Sequence, residues 1–440
     1  MDLFFYYLEY FNTLLWGYVA TFLIITIGIY FCFKSRFMQI RSFPKIVRIF
    51  FGFFTKSERK HNADTRGTSP LKAFFASLGG CIGIGNLVTV AIAIQIGGPG
   101  ALVWIWITAL LGMILKYAEI FLGIKFRVHN HKNGYDGGPM YYLKKAFPKA
   151  NWLPILVCLL LCIYGVEIFM FSVVKESIVV NWHLPSWVVV LGLLFLILIG
   201  VAGGVSRIGA ISSFLVPAFV IIFLCMTIWV LIQNGAYFPT MLYDIICSAF
   251  TGHAAVGGFI GSTFIIVMAK GFSSAAYSGD VGIGYASITQ SEARTKAPSE
   301  QASLSIFGIF LDTFVVCTCT VLLVYSTGVW QQGIEGEMMV QAALSLYFPY
   351  MHFFMPIFFF TLGYSTILPY MIAGIKAAQF ISPRFGVKIY YLYAIFAFIF
   401  FSFFQPEYAL TIMNIAGGFL MIINLCAFFK LRHVIDFTIT

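Results

Sequence analysis

Two glycine-rich runs, GGCIGIGN at Gly79 to Asn86 and GGFIGSTF at Gly257 to Phe264, interrupt stretches that would otherwise read as plain hydrophobic helices. Glycine lets the backbone leave the helix, and inside a bilayer that is tolerated only where the freed groups line a protein-buried cavity or ion site. Freed carbonyls coordinate a hard cation, and freed amides at a half-helix N-terminus face an anion such as a carboxylate. Interruptions at corresponding places in two halves of a chain therefore point to a transporter's binding site, although glycine pairs also serve simply to pack membrane helices closely. Glu167, in IYGVEIFMF, is a further candidate. A carboxylate in an apolar span is costly unless paired, so it recognises an ammonium group, carries a proton, or is a structural carboxyl held neutral by burial.

The elements that position these groups are membrane helices. The chain has 440 residues, 60% of them hydrophobic and 10% charged, with a mean hydropathy of +0.91. That is more apolar surface than a soluble core can hide. Eleven runs are long enough to cross the hydrocarbon, near 14 to 33, 70 to 96, 100 to 125, 152 to 174, 186 to 204, 209 to 232, 243 to 268, 300 to 327, 352 to 380, 388 to 404 and 408 to 429. The first has no preceding Lys or Arg and no small-residue cleavage site after it, so it is expected to stay in the mature protein. The segment 37 to 54 mixes basic with large apolar residues and suits a helix lying in the interface, ahead of a hydrophilic loop at 56 to 69.

The basic residues orient the chain. They cluster from Lys34 to Lys72 and from Lys125 to Lys149, then recur at Arg207, at Lys270, Arg294 and Lys296, at Lys376, Arg384 and Lys388, and at Lys430 and Arg432. With the N-terminus outside, all of these fall on the cytoplasmic side, leaving only Lys175 outside and Lys116 within a span. The net charge of +10 is then an orientation signal, which leaves nothing for a nucleic-acid partner to explain.

Other chemistry finds little support. The nine cysteines all fall in apolar spans and read as packing thiols, and the seven histidines show no metal-ligand spacing, with His253 before the second glycine run the one of most interest. There is no GxxxxGKS motif for primary transport and no clustered nucleophile or paired carboxylates for an enzyme. A channel would more often build repeated lining rings than inverted broken helices. Lys116 and Glu119 are three apart, the spacing of a pair on one helix face. Asp312, in FLDTF, is expected to cap or pair within the bundle.

If the first span is an addition, ten remain and divide five plus five, and an odd number per half inverts the second half. This gives 1–69 as an extra transmembrane helix with an interfacial helix and loop, 70–235 as the first five-helix repeat, and 236–440 as the second.

The run GIGNLVTVAIAIQIGGPGALVWIWITALLGMILKYAEIFLGIKFR, with GYDGGPMYYL after it, closely resembles the signature of the alanine or glycine to cation symporter family. SGDVGIGYASITQSEARTKAPSEQASLSIFGIFLDTFVVCT and YSTILPYMIAG resemble two further blocks, so the likeness runs from about residue 37 to 376. The resemblance implies an all-α integral membrane protein of about eleven transmembrane helices, with a leucine-transporter-like inverted repeat preceded by one extra helix. It also implies uptake of a small neutral amino acid with sodium across the plasma membrane; the monomer is expected as the working unit, with no cofactor beyond the coupling ion.

On that likeness Gly83, Gly85, Asn86 and Thr89 would hold the amino acid, Asn86 through its amide unless that amide instead bonds a neighbouring helix. Gly257, Gly258 and Gly261 would play the mirrored role, with Phe259 or Ile260 as an apolar wall. Carbonyls at Gly83 and Ile84 with the hydroxyls of Ser365 and Thr366 would take sodium, the alternative being that these hydroxyls bond the preceding turn of their own helix. The chain departs from the family at Glu167, where a glutamine is usual, at Ile92 for threonine, at Tyr370 for tryptophan, and in SGDVGIG for a SNEAGMG-like run, which makes Asp280 the acidic residue there. These departures touch the pocket and open a second reading: the same fold with proton coupling or another amine-containing solute.

Overall fold

The computed structural model describes the chain except residues 1, 56–66, 131–133, 236–237, 252–263, 296, 405 and 440. Helix α1 (Asp2–Leu14) continues through a π-helical turn, Leu15–Ala20, into α2 (Thr21–Lys34). Two short helices follow, α3 (Met38–Arg41) and α4 (Phe43–Thr55), with Pro44 in the first turn of α4, where a missing amide costs nothing. The interfacial segment expected at 37 to 54 is thus helical, and it packs on the bundle through Phe50 against Phe74 and Phe307.

Helices α5 (Pro70–Cys81), α6 (Gly85–Gly97) and α7 (Ala101–Lys125) come next, and a two-stranded hairpin, β1 (Val128–His129) with β2 (Tyr135–Asp136), leads to α8 (Pro139–Ala146). Then come α9 (Trp152–Tyr164), α10 (Ile168–Trp182), α11 (Ser186–Val201), α12 (Gly204–Gln233) and α13 (Phe238–Thr251). The remainder comprises α14 (Phe264–Ser278), α15 (Tyr285–Gln290), α16 (Pro298–Ile309), a π-helical turn at Phe310–Cys317, α17 (Thr318–Ser326), α18 (Gly336–Ser345), α19 (Met351–Ile381), α20 (Gly386–Phe401) and α21 (Pro406–Lys430).

Among the described residues eight helical stretches are long and apolar enough to cross a membrane, and Ser186–Val201, Phe238–Phe250 and Gly386–Phe401 are shorter apolar helices. The stretch Pro70–Gly97 is the most enclosed, with 94% of its apolar part buried, against 33% for Gly204–Gln233 at the periphery. The outer helices turn large side chains outward, including Phe214 at 74% and Leu392 at 70% exposure, which only a lipid surround makes affordable.

Of the expected span at 243 to 268, α13 covers the residues up to Thr251 and α14, which runs on to Ser278, those from Phe264, with 252–263 outside the described residues. Lys270 consequently sits within α14, and not in a basic loop. Beyond α21 the chain folds back beneath the bundle: Tyr117 Oη donates to the Asp436 carbonyl at 2.6 Å and Lys45 Nζ to that of Ile439 at 2.6 Å. Phe437 stacks on Tyr117 in the same tail.

Candidate functional site

Helix α5 stops at Cys81 because Ile82 turns extended, at φ −77° and ψ 93°, and α6 restarts at Gly85. The gap is held by a side chain: Asn86 Oδ1 accepts the Gly83 amide at 3.0 Å. The same side chain's Nδ2 donates to Asp312 Oδ1 at 2.6 Å and to Cys317 Sγ at 3.3 Å, both on the π-helical turn between α16 and α17. Helix α19 closes against the break. Thr366 Oγ1 lies 2.9 Å from the Leu362 carbonyl in its own preceding turn and 3.0 Å from the Gly79 carbonyl at the end of α5. Ser365 Oγ donates only to the preceding turn, at the Leu362 carbonyl. Pro369 removes the amide that would bond the Ser365 carbonyl, and that oxygen lies 3.0 Å from where a Cβ on Gly79 would sit. A Cβ on Gly83 would strike Thr366 Oγ1, so glycine is what lets the two elements meet.

A second break separates α14 from α15. Asp280 is left-handed at φ 50°, and Gly282 and Gly284 follow at 74° and 98°, angles that favour glycine. Asp280 is fully buried. It accepts from Tyr370 Oη, from Tyr164 Oη at 3.4 Å and from Cys81 Sγ at 3.5 Å, so three helices converge on one carboxylate. Lys116 Nζ, from α7, donates to the Gly279 carbonyl at 2.5 Å and to Cys81 Sγ at 2.7 Å. Tyr285 stacks on Tyr370 at 4.3 Å and its hydroxyl donates to the Ala76 carbonyl at 2.9 Å. The broken helices run side by side, α6 against α14 and α5 against α15, which brings the two gaps together.

A third break lies between α9 and α10, at Glu167, whose φ of 50° is again left-handed. The carboxylate is fully buried; Tyr277 Oη donates to Oε2 at 3.4 Å, while Oε1 has no partner. Tyr277 and Met170 also press on Gly85, within 3.1 and 3.4 Å of where its Cβ would be, so Glu167 reaches the first break through one aromatic ring.

The sequence profile of the sodium:alanine symporter family matches residues 1–439. The chain belongs to that family. A Haemophilus influenzae protein described as an uncharacterized transporter is 31% identical over 96% of this chain and 93% of its own. A sodium/alanine symporter of Methanococcus maripaludis is 28% identical over 96% of this chain and 94% of its own. Among solved structures, MhsT in complex with L-phenylalanine superposes with a TM-score of 0.56, at 16% identity, over 81% of this chain and 88% of that one. The fold is therefore the leucine-transporter type, and this symporter is a multi-pass membrane transporter and not an enzyme.

Against the expectations, Gly83, Ile84, Gly85, Asn86, Thr89, Glu167, Ser365, Thr366 and Tyr370 all lie at or beside the breaks of the symporter. Asn86 holds protein groups, which matches the structural alternative for its amide, and Thr89 Oγ1 bonds the Gly85 carbonyl at 2.7 Å. Ile92 is displaced from the site: it lies about 10 Å further along α6 and packs on Gly336 at the start of α18. Gly257, Gly258, Phe259, Ile260, Gly261 and His253 lie outside the described residues.

The expected Lys116 and Glu119 pair does not form. Lys116 turns to the second break, and Glu119 Oε1 accepts the Ser287 amide at 3.1 Å in the first turn of α15. Sequence reasoning missed Tyr277, Tyr164 and Cys81, since nothing in an apolar span distinguishes a tyrosine or thiol turned inward. The second break was legible in principle, from Gly279, Gly282 and Gly284 spaced around Asp280.

Proposed function

We propose that this symporter carries a small neutral amino acid, of alanine or glycine size, together with sodium by alternating access. The observation that supports this best is the pairing of two helix breaks, one of them closed by Thr366 against the Gly79 carbonyl. In this reading the carbonyls around Gly79, Gly83 and Ile84 take sodium with the hydroxyls of Ser365 and Thr366, an uncharged oxygen set suited to a hard monovalent ion. The solute's carboxylate meets the first amide of α6, at Gly85. Tyr370 and Tyr277 form the wall, and the break at 279–284 supplies the second half of the site. The name of the Methanococcus maripaludis relative agrees with this substrate and ion. We assign the N-terminus to the outside of the plasma membrane and the C-terminus to the cytoplasm, with residues 70–235 and 236–440 as the inverted repeats and the monomer as the working unit.

Uptake of labelled alanine or glycine into proteoliposomes is expected to follow an inward sodium gradient. Sodium-independent uptake that tracks a pH gradient overturns the sodium assignment. It would favour the second reading, proton coupling or another amine-bearing solute, which rests on the unpartnered Oε1 of Glu167.

A further inference from the structure

A cavity of about 100 Å³ lies at the ends of the helices remote from the basic loops, between α10, the start of α18 and α19. Glu176, Ser177, Glu335 and Glu337 line it, with Phe359 among its apolar walls. Glu337 is 9% exposed and Ser177 3%, yet Glu337 Oε1 and Ser177 Oγ have no hydrogen-bond partner. Buried oxygens in that condition need a donor or a cation. Lys175, beside the cluster, is engaged at 3.1 Å by Glu176 Oε2 and at 3.1 Å by the Ser402 carbonyl. Burial, and then the charges of Glu407, Glu176 and Glu335, push the Glu337 carboxyl up to about 7, with Lys175 acting the other way. The wall is thus short of positive charge.

The chemistry of the wall narrows the ligand. Its polar side chains offer oxygen, the donor of hard cations. Among the described residues no trio of His, Cys, Asp or Glu converges as a cage, so a divalent ion has no full coordination shell, whereas a partly hydrated monovalent ion needs few direct ligands. The position is also connected to the helix breaks. Gly336 seats on Ile92 of α6, and Gln95 Nε2 donates to the Ile334 carbonyl at 2.9 Å, pinning the acidic loop to the half-helix that starts at the first break.

We propose that this cavity is a second sodium site at the outer mouth of the symporter, with Glu337 and Ser177 as direct ligands and Glu335 and Glu176 balancing the ion's charge. It rests on the sodium coupling and outward orientation proposed above, but on separate residues. The test is equilibrium binding of radioactive sodium to the purified full-length protein, compared with Thr366→Ala, Glu337→Gln and Ser177→Ala. Thr366→Ala is expected to retain a binding component that Glu337→Gln weakens at least about threefold, with Ser177→Ala, which leaves the acidic charges intact, shifting it the same way. Sodium binding by Glu337→Gln and Ser177→Ala identical to wild type overturns the proposal, as does displacement of that component by micromolar calcium. Alanine uptake indifferent to sodium would instead overturn the coupling at the inner site while leaving a Glu337-dependent component in place.

Discussion

Glu167 concentrates the cost and the interest of this site in one side chain. A non-glycine residue in the left-handed region is strained, and a fully buried carboxylate with one oxygen unpartnered is destabilising as well. Both costs persist only because the surroundings over-determine the position. Glu167→Gln is expected to change solute preference about tenfold in competition uptake assays, because a carboxyl group beside the Gly85 break discriminates between solutes with and without an extra ammonium. Unchanged competition would reduce Glu167 to packing. The sequence flagged this residue by its charge alone, and charge is a reliable signal in an apolar span. Partner identity was not legible in the same way: spacing suggested Lys116 with Glu119, but each finds a backbone group on a neighbouring element, which helix periodicity cannot reveal.

At the level of elements, three helix breaks meet at the site among the described residues, and each carries a different signature. The first was readable from Gly83 and Gly85 followed by an asparagine that bonds the gap. The second uses spaced glycines with positive φ around Asp280, while the adjacent glycines at 257–261 lie outside the described residues. The third, at Glu167, has no glycine at the left-handed position and left no local signature. Gly284 tests the second. At φ 98° a side chain is strained, and a Cβ there would run into Pro139 of α8. Gly284→Ala is expected to cost about 1–3 kcal/mol, read as a lower Tm in detergent, whereas Gly192→Ala in α11, with nothing within 4 Å of the new Cβ, should leave Tm unchanged or slightly raised. Equal behaviour of the two variants would show that the break tolerates ordinary backbone.

For the molecule as a whole, hydropathy and basic-residue placement made the helical membrane class legible, because lipid leaves the backbone so few alternatives. What hydropathy could not resolve was the break that follows α14, around Asp280. The assigned orientation makes a direct prediction. A single cysteine placed at Glu335 should react with a membrane-impermeant maleimide added to intact cells, and one placed at Lys145, on α8, should react only after permeabilisation. The reverse pattern would invert the assignment.

The returning C-terminal segment bears on how the protein is handled. Tyr117 and Lys45 clasp that segment from α7 and α4, and α7 also supplies the lysine that reaches Gly279. A rigid fusion appended there would tug, through a few hydrogen bonds, on the very helix that braces the transport machinery. A long glycine-serine spacer decouples that load, so fluorescent or affinity handles belong behind one.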